Sequence, residues 1–366
     1  MTDKKSYNYG IDLLKIIATI MIITMHVLGQ GGVIRATEVG SVNYYIVWIM
    51  EALCYVAVNL YALSTGYLNA KKENIKTSSF IKRWFQVFFY VIFFVGFFTI
   101  LMPGAVSLKT WIKAFIPILS NQYWYFTQYF VLFMAMPFLN KMINTIDKRS
   151  LKRLVLVIIL VLSILPMIRQ YDIFLTGHGF SALWLIALYI IGGYFSLYKD
   201  EIKYSKKKLW LSIMISIFVA AGAKFVIDYL GHIEVNDMLR VYLIDYTSLP
   251  IVISSLAILL LCANMTITKG QKAIKFTGGL TFGIYLFHVN GLIWQYIMRD
   301  LFSFLGSVNP LLMILGIIGG VCAIFLLGGV FEFLRIKLFE ITHLNQFCDW
   351  LGLKLKVAGD YITSKL

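Results

Sequence analysis

Ten stretches of mostly apolar residues alternate with short polar segments along this chain. Each stretch is close to the ~20 residues that a helix needs to cross the hydrocarbon core of a bilayer. The pattern therefore predicts an all-α fold, a polytopic transmembrane helical bundle of about ten spans. The predicted spans are 11–29, 44–67, 84–102, 124–143, 154–170, 181–198, 209–230, 245–263, 277–298 and 310–334.

The composition supports this prediction. Of 366 residues, 60% are hydrophobic and 14% are charged, and the mean hydropathy is +0.79. A soluble protein of this length does not carry so many apolar stretches of membrane-crossing length. The first span is too long for the apolar region of a removable signal peptide and lacks a small-residue cleavage site, so we expect it to be retained.

The positive charge of the chain is unevenly distributed. The formal net charge is +15, and 25 of the 33 lysine and arginine residues lie in alternate segments between or beyond the spans. These segments are 4–5, 71–83, 141–153, 199–208, 269–275 and 335–365. By the positive-inside rule, the distribution predicts that both termini are cytoplasmic. The charge thus indicates membrane topology and attraction to anionic lipid, and not nucleic-acid binding.

The first span carries ionisable side chains on one face. His26 follows Lys15 by eleven residues, or about three helical turns, so the two share a face but are roughly 16 Å apart along the axis. Asp12 lies on nearly the same stripe, at pairing distance from Lys15. Ionisable groups inside a span are functional candidates, and histidine is the natural general base near neutral pH. The structural alternatives are a histidine bonded to a neighbouring helix and a lysine that reaches the headgroups or pairs with Asp12.

Other spans carry ionisable side chains as well. His288 lies in the middle of the predicted ninth span, where it can hydrogen-bond to a substrate or to His26. Glu51, in the second span, is a candidate partner for a histidine. Two pairs of opposite charge at helical spacing are interpreted as self-neutralising, namely Lys224 with Asp228 and Glu332 with Arg335.

Neither a metal site nor a disulfide framework is indicated. The four cysteines form no CxxC pair, and three of them lie within apolar segments. The acidic and histidine side chains of the predicted outer loops lack ligand spacing; they are His178, His232, Glu234 and Asp237. Serine triads, phosphate loops and dinucleotide fingerprints are not found either.

Five segments form an ordered set of motifs. They are YGIDLLK (9–15) with ten further residues and His26, VAVNLYALSTGYL (56–68), FIKRW (80–84), NQYWYFTQYFVLFMAMPFLN (121–140) and LTFGIYLFHVN (280–290). In this order they resemble the acyltransferase 3 family of membrane O-acyltransferases. The resemblance places an acyltransferase 3-like transmembrane domain at 7–335, followed by a short basic cytoplasmic tail at 336–366.

The resemblance implies an enzyme that transfers an acyl group, expected to be acetyl, from cytoplasmic acyl-CoA to a hydroxyl of an extracytoplasmic envelope glycan or glycolipid. It implies a bacterial cytoplasmic membrane, contact with membrane lipid, acyl-CoA as co-substrate and no metal. The candidate catalytic residues are His26, as general base or transient acyl carrier, Lys15 and Asp12. The candidate substrate-binding residues are His288, Glu51 and Trp124. The candidate acyl-CoA-binding residues are Lys15, Lys82 and Arg83.

The chain departs from the family pattern at two positions. Lys15 stands where many relatives have arginine, and lysine lacks the bidentate fork of a guanidinium. After the second span, relatives often show two arginines three residues apart, whereas here Arg83 is followed by Gln86 at that spacing. Lys82 is the candidate substitute for the second arginine.

Two other function classes fit a chain with many spans. A secondary transporter of a glycan or lipid-linked intermediate would use the same buried ionisable groups as a relay, although no internal repeat supports this alternative. A non-catalytic scaffold or sensor would use His26 for packing. Acyl-CoA-dependent modification of an acceptor discriminates the enzyme from the transporter, and equal phenotypes of the His26→Ala variant and the parent would support the scaffold.

Overall fold

The computed structural model describes residues 7–169, 172–230 and 243–365, and every regular element in those ranges is helical. In chain order the α-helices are α1 (Tyr9–Leu28), α2 (Val33–Ala36), α3 (Val42–Cys54), α4 (Ala57–Asn69), α5 (Thr77–Leu101), α6 (Leu108–Phe115), α7 (Trp124–Thr145), α8 (Lys148–Ile159), α9 (Leu165–Arg169), α10 (Ala182–Leu197), α11 (Lys206–Leu230), α12 (Leu249–Ala263), α13 (Gln271–His288), α14 (Gly291–Ile293), α15 (Pro310–Ile341) and α16 (Leu344–Lys365). Two π-helical segments, Leu160–Ile164 and Trp294–Met298, extend α8 and α14.

Helix α1 lies at the centre of the bundle. It packs against α3, α4, α12, α13 and α15, and its side chains Leu14, Ala18 and Ile23 are fully buried. The helix begins at a defined residue, because the side chain of Asn8 accepts a hydrogen bond from the amide of Ile11 at 3.2 Å. Since α1 has helices on several sides, its polar side chains Asp12, Thr19 and Thr24 are buried against other helices.

The outer surface of the bundle is apolar. Large hydrophobic side chains stand exposed along α11 and α15, among them Phe218 at 78% and Leu327 at 62% exposure. Soluble proteins rarely expose contiguous apolar surface of this extent, and lipid is the environment that suits it.

Six helices in the described ranges are long and apolar enough to cross a membrane, and a seventh span is added if a bent pair crosses as one. The six are Tyr9–Ala36, Val42–Asn69, Thr77–Leu101, Lys148–Ile168, Lys206–Leu230 and Pro310–Ile341. Helices α10 and α12 are apolar but shorter, with 16 and 15 residues. The polytopic helical bundle is confirmed, whereas the total of ten spans and the cytoplasmic position of the termini stay predictions.

The predicted ninth span is not a continuous helix. Helix α13 ends at His288, and the segment Gly291–Met298 turns away from it by 55°. His288 therefore lies at a bend within the predicted span, because it is the last residue of α13. Asn290 explains the break, since its side-chain oxygen accepts the amide of Leu292 at 3.1 Å and so begins a new helix.

Close packing of α4 against α10 depends on glycine. A Cβ at Gly66 would lie 2.1 Å from the carbonyl oxygen of Tyr189, and one at Gly192 would lie 2.1 Å from that of Leu63. Small residues let two membrane helices approach this closely. The contact fixes the position of α4, which carries Tyr61 into the centre of the bundle.

The predicted tail, 336–366, is helical where the structure describes it. Helix α15 continues to Ile341, and α16 packs along α5. A Cβ at Gly352 would lie 2.8 Å from the Cα atom of Ser78, and Lys82 Nζ lies 2.6 Å from Asp349 Oδ2. The tail is thus attached to the transmembrane helices by close packing and an ion pair.

Candidate active site

His26 and His288 contact each other directly. Nδ1 of His26 lies 2.9 Å from Nε2 of His288, which is buried at 1% exposure. Of the two alternatives for His288, the structure shows the contact with His26. The ring of Trp294 meets His26 edge to face, with centroids 4.7 Å apart. Because α13 ends at His288 and the chain then turns, this bent segment supplies both His288 and Trp294 to His26.

A backbone carbonyl sets the tautomers of the two rings. Nδ1 of His288 lies 2.7 Å from the carbonyl oxygen of Ile284, which can only accept, so this nitrogen carries the proton. In a neutral His288, Nε2 is then an acceptor, and Nδ1 of His26 must donate to it. Nε2 of His26 keeps its lone pair. His26 is therefore oriented to take up a proton at Nε2, while its Nδ1–H bond to His288 stabilises the cation that forms.

His26 lines a cavity of about 490 Å³ with mostly aromatic walls. We call it the His26 cavity. Its volume falls in the range typical of small-molecule sites. Aromatic side chains in its wall include Tyr55, Trp124, Phe180, Tyr246 and Trp294. His288 is not part of the wall and lies behind His26.

Two of the predicted substrate-binding residues, Trp124 and Glu51, line the His26 cavity. Trp124 begins α7 and packs its ring on Phe180, with centroids 4.5 Å apart. Glu51 is buried at 9% exposure, and its Oε2 has no hydrogen-bond partner within the described part of the chain. The carboxyl group does not bond either histidine of the site, which bond each other instead.

A second cavity, of about 260 Å³, is lined by Lys15 and Arg83. We call it the Lys15 cavity. Lys15 Nζ lies 3.0 Å from Asp12 Oδ1, which confirms the expected pair at a spacing of three residues. The guanidinium of Arg83 lies 5.8 Å from the ring centroids of both Tyr129 and Phe282. Arg83 forms no ion pair with any residue that the structure describes, so its charge is available to an anion.

Asp12 is held from two sides and lies in the wall of neither cavity. The phenol of Tyr7 donates to Asp12 Oδ2 at 2.5 Å, and Lys15 donates to Oδ1. Burial, and then the neighbouring carboxylate, raises the pKa of Tyr7 to about 12, so the phenol remains a donor at neutral pH. Asp12 therefore holds the ammonium of Lys15 in position and does not itself contact a cavity.

Lys82 lies outside the Lys15 cavity. Its Nζ pairs with Asp349 of α16, and this hydrogen bond holds the pKa of the Asp349 carboxyl below its usual range. Neighbouring residues on a helix point about 100° apart, so Lys82 and Arg83 face different surroundings. Of the three predicted acyl-CoA contacts, the structure brings together Lys15 and Arg83 but not Lys82.

Gln86, at the position of the second family arginine, belongs to a buried network. Gln86 Nε2 and Tyr90 Oη donate to the carboxylate of Glu332 at 3.0 and 2.9 Å, and Arg335 pairs with it at 2.5 Å. The predicted Glu332–Arg335 pair is confirmed, and the two further donors tie α15 to α5. Gly283 makes room for this carboxylate, since a Cβ there would lie 2.1 Å from Glu332 Oε2. The network fixes the helix that carries Arg83.

The predicted pair of Lys224 and Asp228 is confirmed as an ion pair in α11. Tyr44 hydrogen-bonds both residues, and the ammonium lies 4.2 Å from the ring centroid of Trp48. Because a carboxylate, a phenol and an indole face stabilise this buried lysine, its role is structural.

No group of three metal-ligating side chains occurs within 7–169, 172–230 and 243–365. His178, one of the loop candidates, has its Nδ1 2.7 Å from Asp245 Oδ2. The other three loop candidates, His232, Glu234 and Asp237, lie outside the described residues.

Three residues between the two cavities were not predicted as site residues from the sequence. Tyr61, Tyr125 and Phe282 line both of them. Aromatic side chains in a span are ordinary packing residues and carry no spacing signal of their own. Each of the three does lie within a segment that carries the family resemblance, and this is the signal that could have found them.

A family model described as an acyltransferase domain matches residues 8–329. The model is that of the acyltransferase 3 family, the same one that the five sequence segments resemble. No curated protein and no solved structure shows a significant match to the chain.

Proposed function

The chain belongs to the acyltransferase 3 family of O-acyltransferases, and on that premise we propose that it moves an acetyl group from cytoplasmic acetyl-CoA to a hydroxyl of a bacterial envelope glycan. The observation that carries the proposal is the arrangement along α1. A cationic cavity at Lys15 and an aromatic cavity at His26 lie next to each other and share part of their walls. Family membership favours this enzyme over the transporter alternative.

His26 is the general base in this mechanism. The acceptor hydroxyl gives its proton to Nε2 of His26 while its oxygen attacks the thioester carbonyl carbon. A carbon–oxygen bond forms and the carbon–sulfur bond breaks. The proton then passes from His26 to the departing thiolate, so the products are the ester and the CoA thiol, and His26 is neutral again. The hydrogen bond from Nδ1 to His288 holds the ring in the required tautomer throughout.

The Lys15 cavity suits the phosphate-bearing end of acyl-CoA. A guanidinium forms charge-assisted hydrogen bonds to phosphate, and Arg83 has no competing ion pair within the described residues. Lys15 is already paired with Asp12, so its contact with phosphate shares the ammonium with that carboxylate. The positive-inside prediction puts this cavity on the cytoplasmic side, where acyl-CoA is found.

The His26 cavity suits a sugar. Indole rings such as those of Trp124 and Trp294 present apolar faces that stack on the apolar faces of sugar rings. Glu51 offers an unpaired carboxylate oxygen, and an unmade hydrogen bond at a buried acceptor costs free energy. A sugar hydroxyl bound there would satisfy Glu51 and bring a second hydroxyl within reach of His26.

Acetyl transfer in nanodiscs tests this function. Purified protein receives acetyl-CoA labelled in the acetyl group, together with an envelope-glycan extract, beside its His26→Ala and His343→Asn variants. His343 lies in the turn between α15 and α16 with φ of 55°, a conformation that asparagine tolerates, so it is a matched control. We expect label in glycan with the parent and the control, and none with His26→Ala.

Two results would contradict the proposal. Equal transfer by His26→Ala and the parent would remove His26 from the chemistry. A folded parent that releases no CoA with any glycan fraction would instead favour transport, since a transporter needs no thioester. A further readout separates the two roles of His26: covalent label on the parent without acceptor, absent from His26→Ala, would identify His26 as an acyl carrier instead of a base.

A further inference from the structure

Three aromatic side chains separate the two cavities. Tyr61, Tyr125 and Phe282 line both the His26 cavity and the Lys15 cavity, and no other residue is common to the two walls as described. We call these three residues the aromatic partition. Lys15 and Arg83 lie on one side of it, and His26 lies on the other.

Hydrogen bonds hold one ring of the partition in place. The hydroxyl of Tyr61 lies 2.5 Å from Thr19 Oγ1 and 3.2 Å from the carbonyl oxygen of Lys15. Thr19 is fully buried, and both partners belong to α1. A rotation of Tyr61 would therefore break polar contacts with α1, one of them to the fully buried Thr19.

Phe282 is the partition ring without a polar group. It stacks on Tyr285 and tilts against Phe126, with centroids 6.1 Å away in each case. The guanidinium of Arg83 lies 5.8 Å from its centroid on the Lys15 side. Moving Phe282 breaks no hydrogen bond, and of the three partition rings it is the one that contacts Arg83, the residue proposed to meet the donor.

We propose that the aromatic partition selects the acyl group by its width and that Phe282 sets the limit. The inference rests on the proposed function: a donor with its phosphates at Arg83 and its carbonyl beside His26 must extend through the partition. The cysteamine and β-alanine part of the pantetheine arm, next to the thioester, is a narrow, unbranched chain, whereas the gem-dimethyl group of the arm lies nearer to the phosphates, on the Lys15 side. A gap that accommodates this narrow part admits unbranched acyl groups such as acetyl, whereas a branched acyl group requires a wider opening.

Butyryl-CoA and isobutyryl-CoA test the inference, because the two donors have the same composition and differ in width. Initial rates of acyl transfer are measured in nanodiscs for the parent, Phe282→Ala and Phe218→Ala. Phe218 carries the same ring on the lipid-facing side of α11 and is 78% exposed, so it is the matched control. We expect the parent and the control to prefer butyryl over isobutyryl by about tenfold or more, and Phe282→Ala to lose most of that preference.

Failure of this inference and failure of the proposed function give different results. Equal rates for the two isomers with the parent would overturn the inference even if no variant folds. An unchanged preference in folded Phe282→Ala, and in Phe282→Leu as a milder second variant, would also overturn it. A parent that transfers no acyl group from any thioester, acetyl-CoA included, would remove the proposed function itself, which is a different result from equal isomer rates.

Discussion

The two cavities along α1 hold their ionisable groups in different ways. At the Lys15 cavity a cation is paired with Asp12 and is 29% exposed, and a second cation, Arg83, lies over aromatic rings. At the His26 cavity the imidazoles of His26 and His288 are ordered by hydrogen bonds that run back to the carbonyl of Ile284, and the carboxyl group of Glu51 lies in the cavity wall. The Lys15 cavity thus contains charged side chains, whereas the His26 cavity contains a histidine ring held in a fixed orientation.

The difference follows from the cost of charge in a membrane. A lysine near the end of a span can extend toward the headgroups, and a paired carboxylate reduces its cost further. Deeper in the bundle an unpaired charge is expensive, and a neutral histidine pair avoids that cost until a proton is transferred. In the proposed enzyme, donor binding and chemistry therefore depend on different residues.

The largest effect is expected at His26. Replacing it by glutamine keeps a polar side chain but removes the base, so kcat for acetyl transfer should fall by about 10²- to 10⁴-fold. Steady-state rates in nanodiscs measure the change. A variant with kcat near that of the parent would mean that the His26 cavity does not house the chemistry.

His288 should give the next largest effect, as a positioning residue. His288→Leu removes the acceptor of the Nδ1 hydrogen of His26, and we expect kcat to fall by about tenfold to a hundredfold, less than the loss of the base itself. His288→Gln offers a carbonyl oxygen to the same hydrogen and should restore much of the rate. The pH–rate profile of His288→Leu should shift, because the cation at His26 loses its stabilising partner. Equal losses in the two variants, with an unchanged profile, would indicate a packing role.

Arg83 and Lys82 should differ although they are adjacent. Arg83→Gln removes a charge from the Lys15 cavity, so KM for acyl-CoA should rise by about tenfold while kcat changes little. Lys82 is paired with Asp349 on α16, so Lys82→Gln should leave KM within about twofold of the parent. Each variant removes one positive charge from α5, so each is the control for the other. Equal rises in KM would show that the donor extends to the α16 side of α5.

The smallest effect is expected at the contact of α16 with α5. Lys82 lowers the pKa of Asp349, so this pair stabilises the fold at pH values above the unfolded carboxyl pKa of about 3.9 and loses that contribution as the pH falls through the lowered folded value. Both side chains are more than a third exposed, and the contribution should be at most about 1 kcal/mol. Hydrogen exchange of α16 near pH 7 and near pH 3 measures it. Asp349→Asn should exchange faster at neutral pH and show less dependence on pH.

Much of the fold could be predicted from the sequence because membrane helices have a strong local signal. Helical segments occur at each of the ten predicted positions, and α1 carries Lys15 and His26 as the helical period requires. The break after His288 was missed, since a single side chain, Asn290, decides it within an otherwise apolar stretch. The hydropathy pattern does not reveal a helix break that depends on one capping residue.

The site was harder to predict because its contacts join distant parts of the chain. The bond between His26 and His288 spans 262 positions, and the role of Gln86 depends on Glu332 of another helix. The partition also brings together three helices, α4, α7 and α13, through rings that resemble ordinary core residues. Sequence spacing identifies faces of one helix, but it does not tell which faces meet.

Calorimetry in nanodiscs can separate donor binding from chemistry. It measures the binding of acetyl-CoA, without acceptor, to the His26→Gln and Arg83→Gln variants, and turnover at saturating donor is then measured for both. We expect His26→Gln to keep the parental Kd and lose turnover, and Arg83→Gln to bind about tenfold more weakly and keep turnover. Loss of both binding and turnover in each variant would contradict the separation of donor binding from chemistry along α1.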